Sequence, residues 1–436
     1  MDILIFVHEV NPRVSYTFDL IFRQILRTPY RITANKEEYL SDTGPKFVYR
    51  KTPLDKGLFF YSSDLLFEKG IKSQNLHVEN RNGLRVFFLN EQYGCLPFDP
   101  FAASFYLVSR YEEYVVKNRD RHNRFDQNYS IAKRNNFLQV PVVNYYAELV
   151  KEKILEAYPE AIFRERFYKF QPTLDIDNAF AYKYKGFVRI ATSIGSSLLN
   201  FKLRDAKLKL QASLGKAQDP YDTYDKQVEV HRKYKLNPIY FFLLGDFSKY
   251  DRNLPHDTPA LRSVIQSISE KYEVGMHPSY LSNKREGQLA KEKERIETII
   301  GKPVYKSRQH FLKLKLPDTY RNLLAQGIKE DFSMGYSKDI GFRAGICSPF
   351  YFYDLAREEV TDLLVHPFCL MDSTLKFYLK IRSSEIMYTI KPLIEHVKNV
   401  KGELVTVFHN ESFGPHKVWK NWGEVYESIV RLALPR

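Results

Sequence analysis

The sequence predicts an α/β protein with a mostly parallel sheet, open or rolled into a barrel, in its C-terminal part, preceded by a smaller α/β or α+β block. Two observations carry this. From about residue 168 onward, short apolar segments alternate with longer amphipathic ones, the pattern of parallel strands joined by helices. The chain of 436 residues also exceeds what one ordinary core accommodates, so two domains are expected, residues 1–160 and 168–436.

The elements follow in order. In the first block DILIFVHEV reads as a strand, SYTFDLIFRQIL as a helix, and GLFFYS and LRVFFLN as further strands. Asp99 stands where an N-cap belongs and Pro100 at the first helical position, so a helix begins there. The charges crowding RYEEYVVKNRDRHNRFD read as a solvated or internally ion-paired surface, and nothing in this block announces a task. The second block runs FQPTLDID (strand), DPYDTYDKQVEVHRKYKL (helix), NPIYFFLLGD (strand), TPALRSVIQSISEKY (helix) and EVGMHP (strand). GQLAKEKERIETIIG is a helix closed by Gly301. LPDTYRNLLAQGI (helix), TDLLVHPF (strand), SSEIMYTIKPLIEHVKNV (helix) and GELVTVFHN (strand) complete it.

In such sheets chemistry gathers at the carboxyl ends of the strands. Asp175 and Asp177 close one strand, His277 closes EVGMH, Arg308 and His310 follow PVYKS, and His409 and Asn410 follow GELVTVF. Taken singly, each has a bland reading: Asp and Asn favour solvated turns, and a lone histidine is usually structural. Four strand ends closing on such residues point together to a site. A carboxylate with imidazoles suits a divalent metal such as zinc. A second carboxylate can take a proton from water, and a histidine can protonate a leaving group. These are the parts of an amide or ester hydrolase.

Composition narrows the partners. A formal net charge of +14 favours anionic ones: nucleic acid, anionic lipid or a phosphorylated substrate. No nucleic-acid motif accompanies the Lys and Arg residues, so a nucleic-acid partner is not expected. The 31 Tyr and 32 Phe suit a packed core and, in part, a sugar-stacking groove. Cys95, Cys347 and Cys369 are far apart, without metal-type spacing. The apolar run near Met1 lacks the features of a secretory signal, and no stretch approaches the roughly 20 apolar residues of a membrane span. A cytoplasmic protein is expected.

The segments TLDID, GMHPS, SRQHF and TVFHNESF, in that order and spacing, resemble the polysaccharide deacetylase family with its NodB-homology domain. The resemblance covers roughly residues 168–430 and is closest to a branch with an additional N-terminal domain of unassigned role. It implies a distorted (β/α) barrel. It also implies removal of an acetyl group from an acetamido sugar of an envelope or surface polysaccharide or its precursor. By the same resemblance Asp175 is the base, Asp177 and His277 are metal ligands, Arg308 orients the base and His409 is the acid. One departure stands out: where the family has a second histidine four residues after the first, this chain has Leu281, followed by Ser282. His310 is one candidate for the missing ligand. Looser coordination with more water, or work without metal, are the others. A catalytically decayed glycan-binding protein is the alternative reading.

Secondary features complete the expectations. Residues 331–355 read as a long loop over the strand ends, with Arg343 either clamping a substrate phosphate or carboxylate or pairing Asp331 or Asp354. Asp372 and Asn410 are further substrate-binding candidates, while His366 reads as structural. Trp419 and Trp422 fill core or stack on sugar. The basic segment 183–216, with Leu and Phe at near-helical spacing, either packs on the protein itself or lies on anionic lipid. The second reading would bring the enzyme to a lipid-linked glycan at the inner membrane face.

Overall fold

The computed structural model describes residues 2–90, 94–201 and 203–435. Its first unit is a four-stranded parallel sheet in the order β2-β1-β3-β4, with β1 Ile3–Val7, β2 Tyr30–Thr33, β3 Lys46–Arg50 and β4 Phe59–Tyr61. Alternation along β1 explains its unbroken apolar run. Ile3, Ile5 and Val7 enter the large core, while Leu4 and Phe6 pack with Tyr39 on the opposite face. A two-stranded hairpin follows, β5 Glu79–Arg81 with β6 Leu84–Val86. The helix Pro100–Val108 starts where expected, Asp99 accepting hydrogen bonds from the amides of Phe101 and Ala102. The helix expected at SYTFDLIFRQIL begins earlier, at Pro12, because Asn11 caps it by accepting from the amide of Val14.

The second unit is a nine-stranded sheet: β7 Lys169–Ile176, β8 Ile239–Phe242, β9 Glu273–Met276, β10 Lys306–Ser307, β11 Glu330–Asp331, β12 Phe350–Asp354, β13 Glu359–Val365, β14 Phe368–Met371 and β15 Glu403–His409. Their order across the sheet is β12-β13-β11-β10-β9-β8-β7-β15-β14, parallel except for β12 against β13. The sheet curls until Phe241 of β8, Phe368 of β14 and Val405 of β15 share one inner cluster, yet β12 and β14 do not pair. The expected barrel is thus rolled but open. Residues 331–355, expected as a loop, end in the edge strand β12.

Strand parity places the site. Leu174 and Ile176 of β7, Tyr240 and Phe242 of β8, and Leu404 and Phe408 of β15 face outward into the large core. Their neighbours Phe241, Val405 and Val407 face inward. On that alternation Thr173, Asp175, Asp177, His277 and His409 fall on the inner side at the carboxyl rim. The two units are not separately packed: a contiguous apolar core runs through both, with Tyr16 and Phe105 against Tyr353 at ring-centroid distances of 4.9 and 5.2 Å.

Gly275 of β9 keeps the inner layer closed. A Cβ there would lie 2.5 Å from the Phe241 ring and 2.9 Å from the carbonyl oxygen of Lys306. Gly275→Ala is therefore expected to destabilise by about 1–3 kcal/mol, read as a lower urea midpoint; an unchanged midpoint would contradict this packing.

Candidate active site

Four strand ends deliver their side chains to one cleft of about 360 Å³, lined among others by Asp175, Asp177, His277, His310 and His409. β7 and β15 are adjacent, and Asp175 stands directly opposite His409 in their register. Asp175 is buried, its Oδ1 accepting from Arg308 Nη1 at 3.0 Å. The same Nη1 donates to Thr173 Oγ1, and Arg308 Nε donates to the carbonyl of Phe332 at 3.0 Å. The guanidinium is fully enclosed, 4.8 Å from the centre of the Phe241 ring. It can move little, and so neither can the carboxylate it holds.

Asp177, His277 and His310 form a separate cluster, with one donor atom from each lying within 4.8 Å of the others. His277 donates from Nδ1 to the carbonyl of Arg308 at 2.5 Å, and His310 donates from Nδ1 to Asp251 Oδ1 at 2.9 Å. Each ring is thereby oriented with Nε2 toward Asp177. Those atoms approach the two oxygens of Asp177, at 3.2 Å from His277 and 3.5 Å from His310. Asp177 Oδ1 is buried without a hydrogen-bond partner among the described residues. An acceptor oxygen left over beside the Nε2 atoms of two imidazoles fits a divalent metal such as zinc, with Asp251 orienting one of the rings from behind.

The electrostatics agree. Burial opposes ionisation of Asp177, but His310 and His277 hold its carboxyl well below the usual carboxylate range. Burial likewise opposes charge on His310, and Asp177 with Asp251 outweighs it, raising the imidazole to about 9 in the metal-free protein. For His409 burial is again outweighed, by Asp372 first and then by Asp177 and Asp175, and its imidazole is held well above the ordinary histidine range.

Asp372 acts on His409, not on the cleft. Its Oδ1 accepts from His409 Nδ1 at 2.7 Å and its Oδ2 from the His409 amide at 2.8 Å, which aims Nε2 inward. Asn410 also lies away from the cleft, donating to the carbonyls of Asn178 and Tyr221 at 3.0 Å each. Arg343 is buried at the junction of the two units, where its Nε and Nη2 grip Glu113 at 2.9 and 2.7 Å. Neither Asp331 nor Asp354 is its partner; the guanidinium turns toward the first unit because Glu113 offers a buried carboxylate shared with Arg110. Burial opposes ionisation of Glu113, and Arg343 and Arg110 pull its carboxyl down to about 2. Trp419 and Trp422 are buried, and His366 is held between Glu330 and Glu403.

Three contributors were not anticipated. Asp251 lies in the loop after β8, Glu411 lines the cleft two residues past His409, and Arg124 reaches the cleft from the first unit. Arg124 is steadied by Asp120 at 2.7 Å and donates to the carbonyl of Phe311. Phe311 and Leu312 both have left-handed backbones, at φ 60 and 48 degrees, which is strain of the kind found at ligand sites.

Residues 3–159 match the model of a family of unknown function (DUF7033). No curated protein matches the chain. Among solved structures, a protein assigned as polysaccharide deacetylase from Mycobacterium smegmatis is 11% identical with a TM-score of 0.40, over 62% of this chain and 86% of that one. A polysaccharide deacetylase from Bacillus cereus is 10% identical with a TM-score of 0.30, over 61% and 88%. A mutant of a CE4 family pseudoenzyme with restored enzymatic activity is 11% identical with a TM-score of 0.26, over 61% and 62%.

Coordination through His310 Nε2 must displace the proton that this ring carries up to about pH 9. Zinc affinity is thus expected to fall as pH drops below that value, by up to about tenfold per unit from this group. Asp251→Asn should weaken zinc binding by about 10–100-fold. Competition with a chromogenic chelator across a pH series reads both; pH-independent affinity equal in the variant would contradict the assignment.

Proposed function

We propose that this protein is a hydrolase removing the acetyl group from an acetamido sugar of an envelope or surface polysaccharide or its precursor, with Asp175 as base and His409 as acid. The observation that carries this is the pair itself. A carboxylate fixed by Arg308 and an imidazole fixed by Asp372 sit opposite each other on adjacent strands and line one cleft. Binding alone requires neither a fixed base nor a fixed acid. The quoted segments TLDID, GMHPS, SRQHF and TVFHNESF support the same reading. So do Phe311, Phe377 and Tyr378, apolar walls suited to a sugar ring.

In this mechanism Asp175 takes a proton from water while the water oxygen bonds to the acyl carbon. His409 then gives its proton to the amide nitrogen as the C–N bond breaks. Acetate and the free amine leave, and the proton on Asp175 returns to solvent or to His409. Arg308 and Thr173 keep the base aimed, and Asp372 steadies the imidazole while it is charged. A divalent ion held by Asp177, His277 and His310 would supply Lewis acidity toward the developing oxyanion. His310 takes the place of the histidine missing at Leu281.

The proposed partner of segment 183–216 is an anionic lipid surface. The segment folds as two paired helices, Phe187–Leu199 and Leu203–Ser213; Lys202 between them lies outside the described residues. Leu199, Phe201 and Leu203 are exposed at the turn, Phe201 at 91%, with Lys207 exposed nearby. No described helix is long and apolar enough to cross a membrane.

Acetate release from chitooligosaccharides and from envelope extracts, with and without chelator, tests the activity. Asp175→Asn and His409→Ala should each lower it about 10²–10⁴-fold in samples whose circular dichroism still shows the folded state, Asp175→Asn unfolding at lower urea because Arg308 loses its partner charge. Undiminished release in both variants would remove the base and acid assignments, and glycan binding without release would favour the decayed-site reading. Lys207→Glu with Lys209→Glu should reduce co-sedimentation with anionic vesicles; unchanged partitioning would remove the lipid contact.

A further inference from the structure

A second cavity, of about 240 Å³, adjoins the cleft at the seam between the first unit and the rim of the large sheet. Phe311 stands between the two. It lines the cleft, and its ring packs 5.2 Å from His122 and 5.5 Å from Tyr280, both of which line the second cavity. Three separate segments supply cations here: Arg121 from the first unit, Lys284 from the turn after β9, and Lys313 and Lys315 from the loop after β10.

These charges are poorly compensated. The one carboxylate among the described lining residues, Asp318, pairs with Lys315 at 2.7 Å. Lys313 is 6% exposed, its ammonium 4.0 Å from the centre of the Tyr280 ring and 3.4 Å from the Tyr280 carbonyl; it feels the charge of Asp251, which lies outside the lining, but has no carboxylate in ion-pair range among the described residues. Lys284 is exposed, its ammonium 6.0 Å from the centre of the Tyr280 ring, with no ion pair among the described residues. A nearly buried ammonium facing other cations is unfavourable unless an anion joins it. Asn123 and Asn322 add neutral donors.

We propose that this cavity binds a phosphate or diphosphate group, carried by the substrate whose acetamido sugar occupies the adjoining cleft. This rests on the deacetylase reading and narrows its substrate to a phosphorylated glycan precursor. The charge decides for phosphate over a carboxylate: the lining holds a formal excess of three positive charges, which a single carboxylate would leave largely unmatched.

The test uses the full chain and inorganic pyrophosphate, followed by isothermal titration calorimetry near physiological salt. Saturable binding is expected, weakened by about tenfold in Lys284→Ala and more in Lys313→Met, and retained in Asp175→Asn. Because Lys284 is exposed, its loss leaves folding intact and keeps the result interpretable. Acetate release is then compared for N-acetylglucosamine, its 1-phosphate, its nucleotide diphosphate and its lipid diphosphate. A lower KM for the phosphorylated forms is expected, with the gain removed in Lys284→Ala at unchanged kcat; the last two arms separate a nucleotide carrier from a lipid one. Pyrophosphate binding unaltered by both lysine changes would reflect overall charge and overturn the proposal. Acetate release with no pyrophosphate binding would overturn it while leaving the deacetylase reading standing. Lysine-dependent binding with no acetate release from any sugar would overturn the deacetylase reading and, with it, the assignment of the phosphate to an acetamido-sugar substrate, leaving an anion site alone.

Discussion

A guanidinium with no exposure to solvent lies under the cleft, and the arrangement above depends on it. Arg308 serves two groups at once. Its side chain fixes Asp175, and its backbone carbonyl fixes the ring of His277. One residue thus sets both the proposed base and a metal-ligand candidate, so their relative positions cannot drift independently. The cost is a charge taken out of water, offset by Asp175, by the carbonyl of Phe332 and by the rings of Phe241, Phe332 and Phe368. Removing one side of such a pair costs about 3–5 kcal/mol, because the partner charge stays buried. Nη2 of Arg308 has no hydrogen-bond partner among the described residues, so the enclosure is tolerated for orientation and not for bonding alone.

The same logic recurs around the rim. His310 is turned by Asp251, His409 by Asp372, and Arg124 by Asp120. In each case a carboxylate behind the functional group spends one of its hydrogen bonds on holding direction, and the opposite face of the side chain is left to the cleft. Preorganisation of this kind lets a site meet a developing charge without rearranging. The first unit takes part through Arg124, and through the buried Arg110–Glu113–Arg343 group that ties residues 335–345 to it.

What the sequence disclosed, and what it withheld, follows from range. Strand parity is local, so Asp175, Asp177, His277 and His409 could be placed on one face at one rim from their segments alone. The N-cap at Asp99 is equally local. The role of Asp372 was not, since its contact with His409 crosses 37 positions, and a carboxylate after an apolar strand reads as well for substrate as for support. Asp251 is hidden for the same reason, 59 positions from His310. Arg343 misled because the carboxylate it meets is 230 positions away, in another sheet's unit, whereas nearer acids offered themselves on paper. Strands β2 and β3 escaped notice because YRIT and KFVYR are short, basic and weakly alternating. β14 is four residues of core beside a strand already recognised.

The core shared by the two units has an evolutionary corollary. Severing the polypeptide near residue 160 would uncover the apolar face around Tyr353 and strand Arg343 in the interior without Glu113. The halves are therefore not interchangeable modules. Selection on either must act through the other, and a lineage that lost the first would have to rebuild the second's flank before it could persist.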